Sequence, residues 1–300
     1  MTDDSDLKCS TVTAALDEPA AGTATVAERF VLVELPNPWP KPIAAHPVFD
    51  SLESPKKRLS KHGARVLGIG GESTISGQHR VITYVKDSTG VAYDGFSIQV
   101  PTDELFSTVL DAVDGAIVGE PVEGTDVLIC TQGAHDRCCG RLGTLLYLEA
   151  HDRYGDEVRV WRTTHTGGHR FAPTGITLPT GVNWAGLDIA LLDTIVEQRG
   201  DLADVARHIR GRSGVGDRAV QVADVAMMQE FSWPWLGRSM TIVTEADDAG
   251  LTVNVDADSA SAKIRLTSAP AIPVPKCGLP LEESYKVTPQ FLIDSIELLR

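Results

Sequence analysis

Thr164-His-Thr-Gly-Gly-His169 falls over Leu67-Gly-Ile-Gly-Gly-Glu72, about 97 residues earlier, and this overlay decides how the chain is read. Val182-Asn-Trp-Ala-Gly186 falls in the same way over Val91-Ala-Tyr-Asp-Gly95, about 91 residues earlier. The apolar run that ends at Glu34 matches the one that ends at Cys130. Matches that recur in one order indicate an internal duplication.

The elements around them agree. Arg29–Leu35, Ala64–Ile69, Arg80–Lys86 and Val91–Val100 read as strands, with a helix over 46–62 and another from Pro101 to about 114, capped by Thr102. The second copy repeats the order: strands at Asp126–Ile129, Glu157–Thr163 and Pro173–Leu178, helices at Gly140–Tyr154 and Gly186–Arg199. This βαβ–ββα order is that of thioredoxin-like folds. The expected class is α/β (α+β), two tandem thioredoxin-like units with mixed central sheets at 26–115 and 125–200. A flexible lead-in at 1–25 precedes them, and a small C-terminal α+β appendage at 201–300 follows. In the appendage, 201–209, 217–231 and 288–299 read as helices, and 239–245, 251–256 and 262–267 as strands with a hairpin turn at 247–250.

Composition narrows the function. The hydrophobic share of 42% and charged share of 23% are those of an ordinary globular protein, not of a disordered one. No apolar run approaches the roughly 20 residues a membrane helix needs. Met1-Thr-Asp-Asp-Ser-Asp6 has neither the basic flank nor the apolar core of a secretory signal, so a cytoplasmic protein with no membrane contact is expected. A net charge of −14 repels a phosphate backbone, which argues against nucleic acid. It suits a redox protein that docks on a partner's basic patch. Five cysteines, an odd count, favour metal or thiol chemistry over a disulfide scaffold.

The chemistry concentrates in the second copy. Cys130-Thr-Gln-Gly-Ala-His-Asp-Arg-Cys138-Cys139-Gly140 and His165-Thr-Gly-Gly-His169 read as two loops beside strands. They suggest ligands for an inorganic centre, foremost an iron–sulfur cluster. The first copy has Glu34 or Leu35, Gly68 and Glu72 where the second has Cys130, His165 and His169, so a centre belongs to the second copy alone. Zinc modules usually hold their cysteines two to four residues apart, whereas eight residues separate Cys130 from Cys139 and seven separate it from Cys138. A Rieske centre draws one Cys and one His from each loop, and here the cysteines share one loop and the histidines the other. Gly167 and Gly168 favour a tight loop whose bare backbone N–H groups approach a ligand closely. Trp161 is expected in the core, His135 as an exposed spare ligand, His151 at the surface, and Cys9 as an incidental thiol.

Cys130…Asp136-Arg-Cys-Cys-Gly140, Val160-Trp-Arg-Thr-Thr-His-Thr-Gly-Gly-His-Arg-Phe-Ala-Pro-Thr174 and Leu178-Pro-Thr-Gly-Val-Asn-Trp184 resemble the sucrase/ferredoxin-like family. The resemblance implies a thioredoxin-like ferredoxin fold that carries a [2Fe–2S] cluster, with two Cys on one iron and two His on the other. Carried onto this chain, it implies Cys130, Cys139, His165 and His169 as ligands, with Cys138 competing for the place of Cys139. No paired carboxylates supply the sucrase half of the family's description. With two thiolates and two neutral imidazoles the oxidised centre is neutral, against −2 for four thiolates, so a higher potential is expected. Arg137 and Arg170 flank the loops and are placed to offset the charge of a reduced centre. The expected function is an electron carrier rather than a stand-alone enzyme, serving an unidentified redox partner protein. Two other readings compete: a thiol–disulfide or peroxide enzyme using Cys130, Cys138 and Cys139, and a zinc-stabilised interaction protein.

Overall fold

The computed structural model describes residues 8–70, 77–154, 158–248, 250–258, 260–284 and 286–299. In chain order these form α1 (Cys9–Ala15), β1 (Arg29–Glu34), α2 (Pro55–Arg58), β2 (Ala64–Gly70), β3 (Gln78–Lys86), β4 (Tyr93–Pro101), α3 (Thr102–Asp114) and β5 (Glu120–Pro121). Then come β6 (Asp126–Cys130), α4 (Thr144–Tyr154), β7 (Arg159–Thr163), β8 (Gly175–Leu178), β9 (Val182–Trp184), α5 (Ile189–Glu197), β10 (Ile209–Arg212) and α6 (Arg218–Phe231). The chain closes with β11 (Met240–Asp247), β12 (Gly250–Ala257), β13 (Ala260–Pro273) and β14 (Val287–Leu299).

The alternation that reads as strands builds one ten-stranded mixed sheet, in the order β10-β9-β8-β6-β7-β2-β1-β3-β4-β5. Within it the two copies are plain. β1 runs parallel to β2 and antiparallel to β3, and β6 runs parallel to β7 and antiparallel to β8. β3–β4 and β8–β9 are antiparallel in turn. The copies join edge to edge where β2 meets β7, Ile69 opposite Thr163 and Gly70 opposite Arg162.

Side chains on successive residues of a strand face opposite ways, and β1 buries both sets. Val31 and Val33 pack with Leu105, Val109 and Val113 of α3, while Phe30 and Leu32 pack with Ile69, Leu128, Trp161 and Ile176, reaching under the second copy. Asp126, fully buried, ties this core together: it accepts hydrogen bonds from Trp161 Nε1 (2.7 Å), Arg159 Nε (2.8 Å) and the Tyr84 hydroxyl.

Pairing corrects the overlay's register. Glu34 pairs with Ile69 and Cys130 with Thr163, so the counterpart of Ile69 is Thr163, not Thr166, and Leu67 and Gly68 are still strand. The counterparts of His165 and His169 therefore begin after Gly70, and Gly71 and Glu72 lie outside the described residues, as do 1–7 of the lead-in.

Other expectations change as well. The helix over 46–62 is instead short 3-10 turns at Pro47–Phe49 and Lys61–Gly63 with the single turn α2, because Pro47 and Pro55 each interrupt the ladder and Ser54 and His62 take positive φ. Thr102 does not cap α3; it is the first helical residue, and its hydroxyl bonds His79 Nε2 at 3.1 Å. Leu202–His208 is a 3-10 helix leading into β10, which joins the large sheet beside β9, and α6 packs on the same core. Thr288–Leu299 is not a helix. It lies in β14, antiparallel to β13 along its length, because β13 offers a 14-residue open edge. β11–β14 form a second, antiparallel sheet that buries Val253, Val255, Ile264 and Leu266. No helix among the described residues is long and apolar enough to cross a membrane.

Candidate metal centre

Cys130 closes β6, the central strand of its copy, and is held on both sides: its N–H donates to Thr174 O at 2.9 Å, and Thr131 N–H donates to Thr163 O at 3.0 Å. The chain turns through Gly133–His135 and re-enters helix at Arg137, with a π-helical turn over Cys139–Gly143 before α4. That turn presses onto the end of β6. A Cβ on Gly143 would sit 1.9 Å from Cys130 O, and one on Gly140 would sit 2.4 Å from Gly133 Cα. Glycine is required at both places to let helix and strand approach, and the approach seats Cys139 beside Cys130.

The histidine loop follows β7. Gln132 bridges the loops, its Oε1 accepting from His165 N–H at 3.0 Å and its Nε2 donating to Pro40 O at 2.7 Å. Gly167 and Gly168 take φ +93° and +64°, which a glycine adopts without strain. A Cβ on Gly168 would sit 2.4 Å from Arg210 Nη2. Arg210 Nη1 donates to Gly167 O at 3.1 Å, and Arg65 Nη2 to His165 O at 2.6 Å.

The structure brings Cys130, Cys139 and His165 together, with one ligand atom of each within 4.8 Å of the others. Both thiols are fully buried. A hydrogen bond from Cys139 holds the Cys130 thiol well below its ordinary range, with His165 helping against the cost of burial, and the same bond drives Cys139 up. Burial lowers His165 and keeps its imidazole neutral. His165 Nδ1 is buried with no hydrogen-bond partner. Two buried thiols gathered on an imidazole are the donor chemistry of a soft or borderline metal.

His169 stands apart from this trio. Its Nδ1 lies 3.2 Å from Asp136 Oδ2 and 3.4 Å from Cys9 Sγ, and its ring centroid is 6.1 Å from that of His165. Asp136 is 6% exposed. Burial favours its neutral form, but the hydrogen bond and charge of His169, with the Cys138 N–H, hold the carboxyl below the usual carboxylate range. A ring nitrogen engaged by a carboxylate leaves the other free for a metal, the usual arrangement around metal-bound histidine. His135 is half-buried rather than exposed and stacks on His165 at 3.4 Å. Burial lowers it to about 3.

Cys138 does not join Cys130. Its sulfur lies 3.3 Å from Cys277 Sγ, in a second group of Cys9, Asp136, Cys138 and Cys277 whose ligand atoms also lie within 4.8 Å of one another. Cys9, expected as an incidental thiol, is fully buried in this group, and nothing local marks it or Cys277, since they are 268 residues apart. Arg137 is exposed, and Arg170 is turned to Glu18 (Nε to Oε2, 2.6 Å). Arg65 and Arg210 are the guanidinium groups against the histidine loop.

A cleft of about 260 Å³ opens beside His135, Asp136 and His169, walled by Lys41, Lys276 and Lys286.

A duplicated mixed α/β sheet with two buried cysteines and a histidine gathered at the end of one central strand defines a protein with a metal-capable site. The chain matches the sucrase/ferredoxin-like family over residues 20–211, more than half its length, and belongs to that family. Comparison with curated proteins finds no match, and comparison with solved structures finds none.

Proposed function

We propose that the protein is an electron carrier holding a [2Fe–2S] cluster through Cys130, Cys139, His165 and His169. The observation that carries this reading is the convergence of two buried thiols on the His165 imidazole, with one ligand atom of each within 4.8 Å of the others. When bound, the cluster would accept and release one electron at a time. The chain's own residues do the rest. Cys130 and Cys139 supply the thiolate charge, and His165 stays neutral through burial. Asp136 orients His169, and Gln132 ties the cysteine loop to the histidine loop. The strand order in each half supports a thioredoxin-like reading of both units. Five free thiols suit a reducing, cytoplasmic setting. The partner is a redox protein that meets the cleft beside His169.

A thiol–disulfide enzyme has one feature in its favour, the hydrogen bond from Cys139, helped by His165, that lowers the Cys130 pKa. Complete burial of both Cys130 and Cys139 opposes it, because a substrate disulfide needs access. Anaerobic purification with cluster supply tests the choice. A red-brown protein with about two iron and two acid-labile sulfide per chain is expected. A colourless, iron-free protein with thiol turnover in a His165→Ala, His169→Ala double variant would rule the carrier out.

A further inference from the structure

We propose that Cys9, Asp136, Cys138 and Cys277 form a second, mononuclear metal site that holds zinc. It shares no donor with the trio of Cys130, Cys139 and His165, and it adjoins His169, whose Nδ1 lies 3.2 Å from Asp136 Oδ2 and 3.4 Å from Cys9 Sγ while Asp136 Oδ1 faces Cys277.

Three distant parts of the chain meet there. Cys9 opens α1, Asp136 and Cys138 belong to the cysteine loop, and Cys277 lies in the stretch between β13 and β14. Cys9 is fully buried, Cys138 and Asp136 nearly so, and Cys277 partly. The separations are 3.3 Å for Cys138 Sγ to Cys277 Sγ, 3.5 Å for Cys277 Sγ to Cys9 Sγ, 3.5 Å for Cys9 Sγ to Asp136 Oδ1, and 3.3 Å for Cys277 Sγ to Asp136 Oδ1. In a zinc tetrahedron with bonds of about 2.3 Å to sulfur, neighbouring sulfurs stand about 3.8 Å apart. Four of the six edges are thus already within a few tenths of an ångström of that spacing, and all six lie within 4.8 Å.

Donor type and count select the ion. Three sulfurs and one carboxylate oxygen make a closed four-coordinate set, as in structural zinc sites, and leave no position for substrate. Calcium and magnesium call for six or more oxygens or near-octahedral geometry, and three sulfurs exclude both. Outer partners are in place: Ser10 Oγ donates to Cys138 Sγ (3.3 Å), Cys9 N–H to Cys277 Sγ (3.4 Å), and Cys138 N–H to Asp136 Oδ1 (2.8 Å).

The site has a structural consequence. Zinc there pins α1 and the 273–280 stretch, drawn from opposite ends of the chain, against the loop that carries Cys139. Pro275, Lys276, Leu279 and Pro280 wall the cleft beside His169, so the clip fixes one side of the entrance to the proposed cluster. A metal clip that closes a loop of this length limits the unfolded chain strongly.

Native mass spectrometry of the full-length protein, purified anaerobically from zinc- and iron-replete cells, reads the two sites separately because iron and zinc differ in mass. One zinc per chain is expected, and it should persist in a Cys130→Ser, Cys139→Ser variant that loses iron. Cobalt(II) added to that variant after zinc removal should give tetrahedral cobalt-thiolate bands at one equivalent, and Cys277→Ser should abolish them or weaken binding at least tenfold. Wild-type protein without zinc, cobalt binding unchanged by both Cys9→Ser and Cys277→Ser, or a Cys138–Cys277 disulfide in the anaerobic protein would each overturn the site. Absence of iron with zinc present would count against the cluster alone.

Discussion

Cys138 and Cys139 are consecutive, yet their sulfurs serve different groups: Cys139 lies with Cys130 and His165, and Cys138 lies 3.3 Å from Cys277. The helical turn that begins at Arg137 produces this split, because neighbouring residues of a helix point about 100° apart. The two serine variants therefore have opposite expected outcomes. Cys139→Ser should lose iron and visible colour after cluster reconstitution, whereas Cys138→Ser should keep both. Equal iron loss in the two would remove the assignment of Cys139.

Gly143 is a steric gate for the same assignment. A Cβ there meets Cys130 O at 1.9 Å, and the carbonyl is backbone that cannot swing away. Gly143→Ala must push α4 off the end of β6, and overpacking of this kind costs about 1–3 kcal/mol. A lowered Tm with parallel loss of iron is expected. Gly237→Ala is the control, since a Cβ there meets nothing within 4 Å.

Much of this was legible in the sequence, and the limits are physical. The duplicated strands could be read because each central strand is a continuous apolar run, Phe30–Val33 and Val127–Ile129, buried on both faces. The loop cysteines and histidines stood out because few residues separate them. Cys9 and Cys277 did not, because only the folded chain carries them to Asp136. Thr288–Leu299 misled because Phe291, Leu292, Ile293, Ile296, Leu298 and Leu299 fit a helical stripe as well as a strand. The open edge of β13 decided the matter, and no local signal reports that edge. The shift in register at Leu67 arose because Gly70, the last residue of a strand, and Gly167, in a loop, look alike in sequence.

Asp224 and Arg212 form a fully buried pair, Nη2 to Oδ1 at 2.6 Å and Nε to Oδ2 at 2.9 Å, and Trp235 Nε1 also donates to Asp224 at 2.9 Å. The pair fixes α6 and the 233–237 turn onto β10. Asp224→Ala leaves a buried guanidinium unpaired, which costs roughly 3–5 kcal/mol. Chemical denaturation should show that loss with iron binding retained wherever the variant stays folded. A loss under 1 kcal/mol would mean that the pair contributes little to the fold.

His46 gives a pH test away from the metal residues. Burial lowers its pKa, and His79 adds to the effect against Asp50; its Nδ1 accepts from Val48 N–H at 3.3 Å. Protonation removes that acceptor. A group whose folded pKa is depressed stabilises above its unfolded pKa, about 6.5 for histidine, and loses that contribution as pH falls toward the folded value. His46→Asn keeps an acceptor without titrating. Between pH 7 and pH 5 the wild type should lose more stability than the variant, and parallel stability curves would show that His46 plays no part.

Arg210 bears on the proposed redox role. It is 1% exposed, it donates to Gly167 O, and burial, with Arg170 next, lowers its pKa to about 9. At pH 7 it therefore remains a cation beneath the histidine loop. A fixed positive charge in a low-dielectric setting favours the more negative, reduced state of a nearby centre. Arg210→Gln should move the midpoint potential of the loaded protein downward by tens of millivolts, and Arg210→Lys should recover part of the shift. The hydrogen bond to Gly167 and the bond from Arg210 Nε to Thr23 Oγ1 (3.1 Å) also order the loop, so circular dichroism must first show both variants folded. If the Gln and Lys variants shift alike, loop order sets the potential, and the guanidinium's charge does not.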